Sequence, residues 1–149
     1  MVLGWLGWHR GTLLYKCGGL TGEQLAKRAV PPSDLSLLGL IRHSTDVERS
    51  WVRRRLDGEK IVSAYWDGTQ ETSWSEATAD SAEADYQALL EEWRVCDETL
   101  ARHDFEDTFT TSRGEYSCRW MVLHLIDEYA RHCGHADLLR ERIDGRTGY

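Results

Sequence analysis

Three side chains near the C-terminal end recur at every fourth position: His124, Glu128 and His132. On an α-helix that spacing stacks them along one face. Imidazole and carboxylate are both metal ligands, and a pair four residues apart can share one ion. All three cannot. His124 and His132 would stand about 12 Å apart along the axis, whereas bonds from a single ion to imidazole nitrogen are about 2.0–2.1 Å long. The segment therefore offers one pair, either His124/Glu128 or Glu128/His132, and further ligands must come from elsewhere. The best donor elsewhere is His43, which lies on the apolar stripe that passes through Leu40, Val47 and Trp51. An inward histidine on one helix and a carboxylate–imidazole pair on another is how helical bundles hold metals. Two imidazoles and one carboxylate leave coordination positions open, which suits a catalytic or substrate-binding ion better than a structural one. The competing reading is a hydrogen-bonded core histidine together with an ordinary surface Glu/His pair. Coincidence on two apolar stripes is what points to a metal. His9 and His103 lack this setting.

The elements that must position these residues follow from periodicity and punctuation. Leu3, Leu6, Leu13 and Leu14 give residues 2–17 helical spacing, stopped by Gly18-Gly19. Thr21-Gly-Glu-Gln opens a short helical turn, which Pro31-Pro32 terminates. Ser33 or Ser36 caps the helix that carries His43 and runs to about Leu56, with Asp57-Gly58 as its end. Residues 58–80 show no helical pattern. Ile61–Trp66 is a candidate extended piece, and a loop of this length in a small domain is usually functional or mobile. Asp80-Ser-Ala-Glu83 reads as a capping box for a helix through Leu100, with Leu89, Trp93, Cys96 and Leu100 inward. Residues 104–115 read as a connection, and the last helix spans about Ser117 to Ile143 with Gly145 at its C′ position. These elements predict an all-α fold, a four-helix bundle in one domain over residues 1–149, with a long connection between its second and third helices.

Composition narrows the classes of function. The chain has 149 residues, 41% of them hydrophobic and 29% charged, which is the balance of a folded soluble domain. Its 25 acidic residues against 18 basic ones leave a net charge of −7, which repels phosphate backbones, so nucleic acid is not an expected partner. The cluster Arg49, Arg53, Arg54, Arg55 has helical spacing and reads as a solvated face. No stretch has the apolar length of a membrane span or the layout of a signal peptide, and Cys17, Cys96, Cys118 and Cys133 form no CxxC pair. A cytoplasmic protein with reduced thiols is expected. Cys133 adjoins His132 but points about 100° away around the helix; the other three cysteines read as buried core. Seven tryptophans are many for this length, and Trp5, Trp8, Trp51 and Trp120 are compatible with a homodimer interface as well as with core packing.

Two blocks, Pro31-Pro-Ser-Asp-Leu-Ser-Leu-Leu-Gly-Leu-Ile-Arg-His43 and Glu128-Tyr-Ala-Arg-His132-Cys-Gly-His135-Ala-Asp-Leu-Leu-Arg, resemble the DinB/YfiT superfamily. Within it they are most similar to the actinobacterial branch that includes mycothiol-dependent maleylpyruvate isomerase. The resemblance spans essentially the whole chain. It implies a DinB-like four-helix bundle with a divalent metal, zinc or nickel, held by His43, Glu128 and His132. Many members carry histidine where this chain has Glu128, and the isomerase type carries glutamate; its second, C-terminal domain has no counterpart here. His124 and His135 then orient ligands or line the pocket. The resemblance also implies a low-molecular-weight thiol such as mycothiol as co-substrate. A metal-bound thiol is deprotonated at neutral pH and attacks a small-molecule electrophile. The expected function is a metal-dependent thiol S-transferase or thiol-assisted isomerase. Asp46, Glu48 and Asp127 are candidates for proton transfer, and Arg42 and Arg131 for binding a carboxylate of the thiol, with solvated ion pairs as the alternative for all five. A metal-dependent hydrolase and a non-catalytic metal- or small-molecule-binding stress protein are the other readings.

Overall fold

The computed structural model describes residues 1–148 and is mostly helical. Helix α1 (Val2–Cys17) is followed by the short α2 (Gly22–Ala26), then α3 (Leu37–Glu48), α4 (Ala82–Leu100) and α5 (Cys118–Asp144). The start and stop signals act through identifiable groups. Thr21 and Gln24 form a reciprocal capping box on α2. Of the two candidate serines it is Ser36 that caps α3, accepting from the Gly39 amide. Ser117 does the same for α5 through the Trp120 amide, and Gly145 closes that helix in the left-handed region at φ 79°.

Three details differ from the sequence expectation. The helix carrying His43 does reach Leu56, but from Arg49 onward it is wound as a π-helix. In that wider winding Arg49 and Arg53 both reach Glu92 on α4, at 2.7 Å and 3.1 Å. Asp80 does not cap α4: a 3-10 turn (Ala79–Ser81) precedes the helix, and the reciprocal box is made by Thr78 and Ser81. The connection before α5 contains a β-hairpin, β1 (Thr108–Thr111) paired antiparallel with β2 (Gly114–Ser117), with Phe109 opposite Tyr116. The alternation in Thr-Phe-Thr-Thr is too short to register as a strand, yet Phe109 is buried and anchors the hairpin.

Helix α1 lies along α5, and α3 packs on both α4 and α5. Their shared core contains Leu6, Leu13, Leu38, Ile41, Leu89, Met121 and Leu125, each at most 1% exposed. Burial of such side chains contributes about 1.5–3 kcal/mol each. The same core holds a polar centre: Arg10 of α1 donates to both Glu48 oxygens at 2.7 and 2.6 Å, and the Tyr129 hydroxyl donates to Glu48 at 2.9 Å. Trp93 donates in turn to the Tyr129 oxygen at 2.7 Å.

The long connection, residues 57–78, is folded down onto α3. Asp46 accepts from the backbone amides of Ala64 and Tyr65 at 2.6 and 3.0 Å. Arg42 reaches Asp85 of α4 and the Thr72 carbonyl, and lies over the Tyr65 ring at 4.1 Å. Trp74 rests directly on Gly39, where a Cβ would come within 2.6 Å of its ring. This packing brings the loop to the edge of His43.

Candidate metal centre

His43 lies on α3 nearly two turns before its π-wound extension and meets Glu128 and His132 of α5. One ligand atom from each of the three lies within 4.8 Å of the others. Glu128 Oε2 is the shared point, 3.5 Å from His132 Nε2 and 3.9 Å from His43 Nε2. These separations exceed hydrogen-bond length, so the three groups face a common space without closing on one another.

Each imidazole is held through its other nitrogen. His43 Nδ1 is 2.8 Å from Glu71 Oε1, and His132 Nδ1 is 3.2 Å from His135 Nδ1. A carboxylate oxygen accepts from His43 Nδ1–H, the tautomer that leaves Nε2 as a free acceptor and the usual arrangement around metal-bound histidines. Trp74 stacks on His43 at 5.1 Å and flanks His132 at 6.3 Å, fixing the ring planes. Burial pushes the His132 pKa down to about 4, helped by the neighbouring His43 and His135 rings and by Arg131. Its imidazole is therefore neutral, and free to ligate, throughout the physiological range.

His124 is one turn away. Its Nε2 lies 3.7 Å from the other Glu128 oxygen, and its ring is stacked on Trp120 at 5.1 Å and set edge-on to Trp51 at 4.6 Å. Of the two pairs open to the sequence, the fold thus brings Glu128/His132 to His43 and leaves His124 lining an aromatic wall. Two cavities flank the cluster. One of about 240 Å³ is lined by His43, Asp46, Tyr65, Trp66 and Glu71. The other, about 680 Å³, reaches His124 from the side of the hairpin.

The family model described as mycothiol-S-transferase matches residues 1–145. The chain belongs to the mycothiol S-transferase family, a DinB-like family. It is similar in fold to a solved structure described as the conserved protein of locus from Enterococcus faecalis. That likeness has a TM-score of 0.66 at 11% identity, over 97% of this chain and 96% of the other. No curated protein matches it.

In this mycothiol S-transferase family member several candidates are occupied with architecture. Glu48 is fully buried in its bonds to Arg10 and Tyr129. Asp46 holds the loop backbone, and Asp127 pairs with Arg131 at 3.1 Å on the surface. Arg42 is committed to Asp85 and Tyr65. His103 bridges Asp57 and Asp107, away from the cluster. All four cysteines are buried, and burial raises every thiol, Cys133 to about 11 and Cys17 to about 12. None is a ready nucleophile at neutral pH. Glu71 and Trp74 escape sequence reasoning because they sit in an aperiodic loop. Its length alone marked it, with nothing to single out those two positions. No helix among the described residues is long and apolar enough to cross a membrane.

Proposed function

We propose that His43, Glu128 and His132 bind a divalent metal ion, zinc or nickel, and that the protein joins mycothiol through its sulfur to a small-molecule electrophile. The observation that carries this reading is the orientation of the two imidazoles. Glu71 and His135 take their Nδ1 atoms, and both Nε2 atoms are left facing one carboxylate without a bond to it. A donor set of two imidazoles and one carboxylate fits a divalent ion and leaves room for a further ligand.

When bound, such an ion supplies a Lewis acid that lowers the pKa of a coordinated thiol into the neutral range. The chain does the rest. Glu71 holds the His43 tautomer, His135 holds the His132 ring in place, Trp74 stacks on the rings, and the cavities on either side of Trp51 admit the two reactants. The raised pKa values of the chain's own cysteines support an external thiol as nucleophile. In the transfer the thiolate forms a carbon–sulfur bond while the electrophile's leaving group departs with its electron pair. We read the glutamate at 128 as placing the chain nearer the maleylpyruvate isomerase type than relatives with a third histidine. We also read residues 1–149 as one four-helix-bundle domain working in the cytoplasm. The exposed Trp5 and Trp8 are candidates for contact between two copies, which light scattering decides.

The test is metal content of protein purified without a metal-binding tag, followed by thiol transfer to soft electrophiles. About one zinc or nickel per chain and mycothiol-dependent turnover support the reading. Turnover of esters or amides without thiol would move it to a hydrolase. Metal without turnover would leave a binding protein.

A further inference from the structure

The larger cavity lies between the π-wound end of α3, the hairpin and the first turns of α5. Its lining is unusual for a chain with net charge −7. Arg54, Arg55 and Arg113 converge on it, and among the described residues none of the three has a carboxylate within ion-pair distance. Most other arginines are paired, among them Arg10 with Glu48, Arg42 with Asp85, Arg49 and Arg53 with Glu92, and Arg140 with Asp144. Arg54 and Arg55 both donate to the Ser50 hydroxyl, and Arg55 also donates to the Ser50 carbonyl. The Arg55 pKa is lowered by burial and by the charges of Arg54 and Arg113, so these three cations sit together at a cost.

The remaining walls are aromatic. Arg55 lies over the Trp51 ring at 4.4 Å, Trp51 and Trp120 are 5.7 Å apart, and Tyr116 packs on Trp120 at 4.3 Å. His124, 3.7 Å from Glu128, completes the lining. A volume of about 680 Å³ is that of a small-molecule site. The smaller cavity across Trp51 and Arg55 carries Asp46 and Glu71 on its wall and so disfavours anions.

We propose that the larger cavity is a subsite for a small organic anion with a flat conjugated body, such as an aryl carboxylate or sulfonate. Its charge is held by Arg54, Arg55 and Arg113, its ring lies against Trp51 and Trp120, and its far edge points toward His124 and Glu128. Guanidinium pairs recognise planar oxyanions by charge-assisted, often bidentate hydrogen bonds. On the thiol-transfer reading, on which this assignment of role rests, the occupant is the electrophile.

The direct test is calorimetric binding of naphthalene-2-sulfonate and its neutral isostere naphthalene-2-sulfonamide. Wild type is compared with Arg113→Gln and with Arg54→Gln/Arg113→Gln, both at exposed positions that leave the core untouched. The sulfonate should bind about tenfold or more tightly than the sulfonamide. The double variant should lose about tenfold in sulfonate affinity and leave the sulfonamide unchanged, with an unaltered far-UV spectrum. Equal affinities for the two probes, or sulfonate binding indifferent to both variants, would overturn the proposal. Because binding is read without turnover, a protein that holds the anion but transfers no thiol would sink the transfer reading and leave the anion subsite standing.

Discussion

Two polar clusters share the same pair of helices and have opposite characters. Glu48 on α3 and Tyr129 on α5 meet Arg10 and Trp93 in the core. His43, one turn earlier on α3, meets Glu128 and His132, the first of which precedes Tyr129 directly in the chain. In the core cluster every strong bond is spent: Glu48 accepts three hydrogen bonds at 2.6–2.9 Å. Burial alone would lower the Arg10 pKa, and the Glu48 carboxylate more than reverses it. Burial raises Tyr129 well above its usual range, and Glu48 adds to that, so the phenol stays a donor. In the other cluster the nearest approaches are 3.5–3.9 Å and the side chains are 12–24% exposed. Polarity on an inward stripe therefore does not by itself mark chemistry. Unspent acceptor atoms that meet at one accessible point do.

The sharpest way to break that contrast is to remove one member of each cluster. Glu48→Ala leaves the Arg10 guanidinium buried without its main partner and should cost about 3–5 kcal/mol, read as a lowered urea midpoint. Whatever remains folded should still bind metal. His132→Ala should do the reverse, abolishing stoichiometric metal binding while moving the stability of the metal-free protein by less than about 1 kcal/mol. If His132→Ala and His43→Ala both retain metal at wild-type stoichiometry, the open cluster is not the metal site. Glu71→Gln tests the layer behind it. The amide cannot hold His43 Nδ1–H as a carboxylate does, and metal affinity should fall about 10–100-fold with the stoichiometry kept at saturation. An unchanged affinity would show that His43 orients itself without Glu71.

How much of this could be read from the residues alone divides along the same line. The helices announced themselves through Leu periodicity and through capping side chains such as Ser36 and Ser117, because those signals are local. Helical spacing likewise put His43 on an inward stripe and His124, Glu128 and His132 on one face. It left the pairs His124/Glu128 and Glu128/His132 equally open, and the choice between them came from the family resemblance. Whether Glu48 was catalytic or structural was not legible. It shares its helix with His43, and only the arrival of Arg10 from α1, 38 positions away, decides the matter. Glu71 and Trp74 were invisible because loop residues carry no periodicity. Their placement depends on the absence of a side chain at Gly39 and on Asp46 and Arg42 pinning the loop. The π-winding after Glu48 and the Phe109/Tyr116 hairpin are likewise set by tertiary partners, Glu92 and the core.

A third polar cluster separates accessibility from saturation. Asp57, at the end of the π-wound segment, is 23% exposed, comparable to Glu128 at 24%. Its bonds are nevertheless spent, on His103 at 3.1 Å and Arg102 at 3.3 Å, and His103 also meets Asp107 at 3.0 Å. If saturation decides, this cluster is architecture despite its exposure, and Asp57→Asn should leave metal binding unchanged while lowering stability slightly, by less than about 1 kcal/mol. The sign of its pH dependence follows from the carboxyl pKa, which the His103 hydrogen bond and the nearby Arg102 hold below the usual aspartate value. A depressed folded-state pKa means the unfolded chain takes up the proton first as pH falls. The stabilisation is therefore complete above the unfolded aspartate pKa of about 3.9 and is lost as pH drops through the lower folded value. Urea midpoints of wild type and Asp57→Asn should differ at pH 7 and converge as the pH is lowered past that point. A gap that stays constant over that range would mean Asp57 stabilises by shape and not by charge, and would return exposure, not saturation, as the variable that separates the clusters.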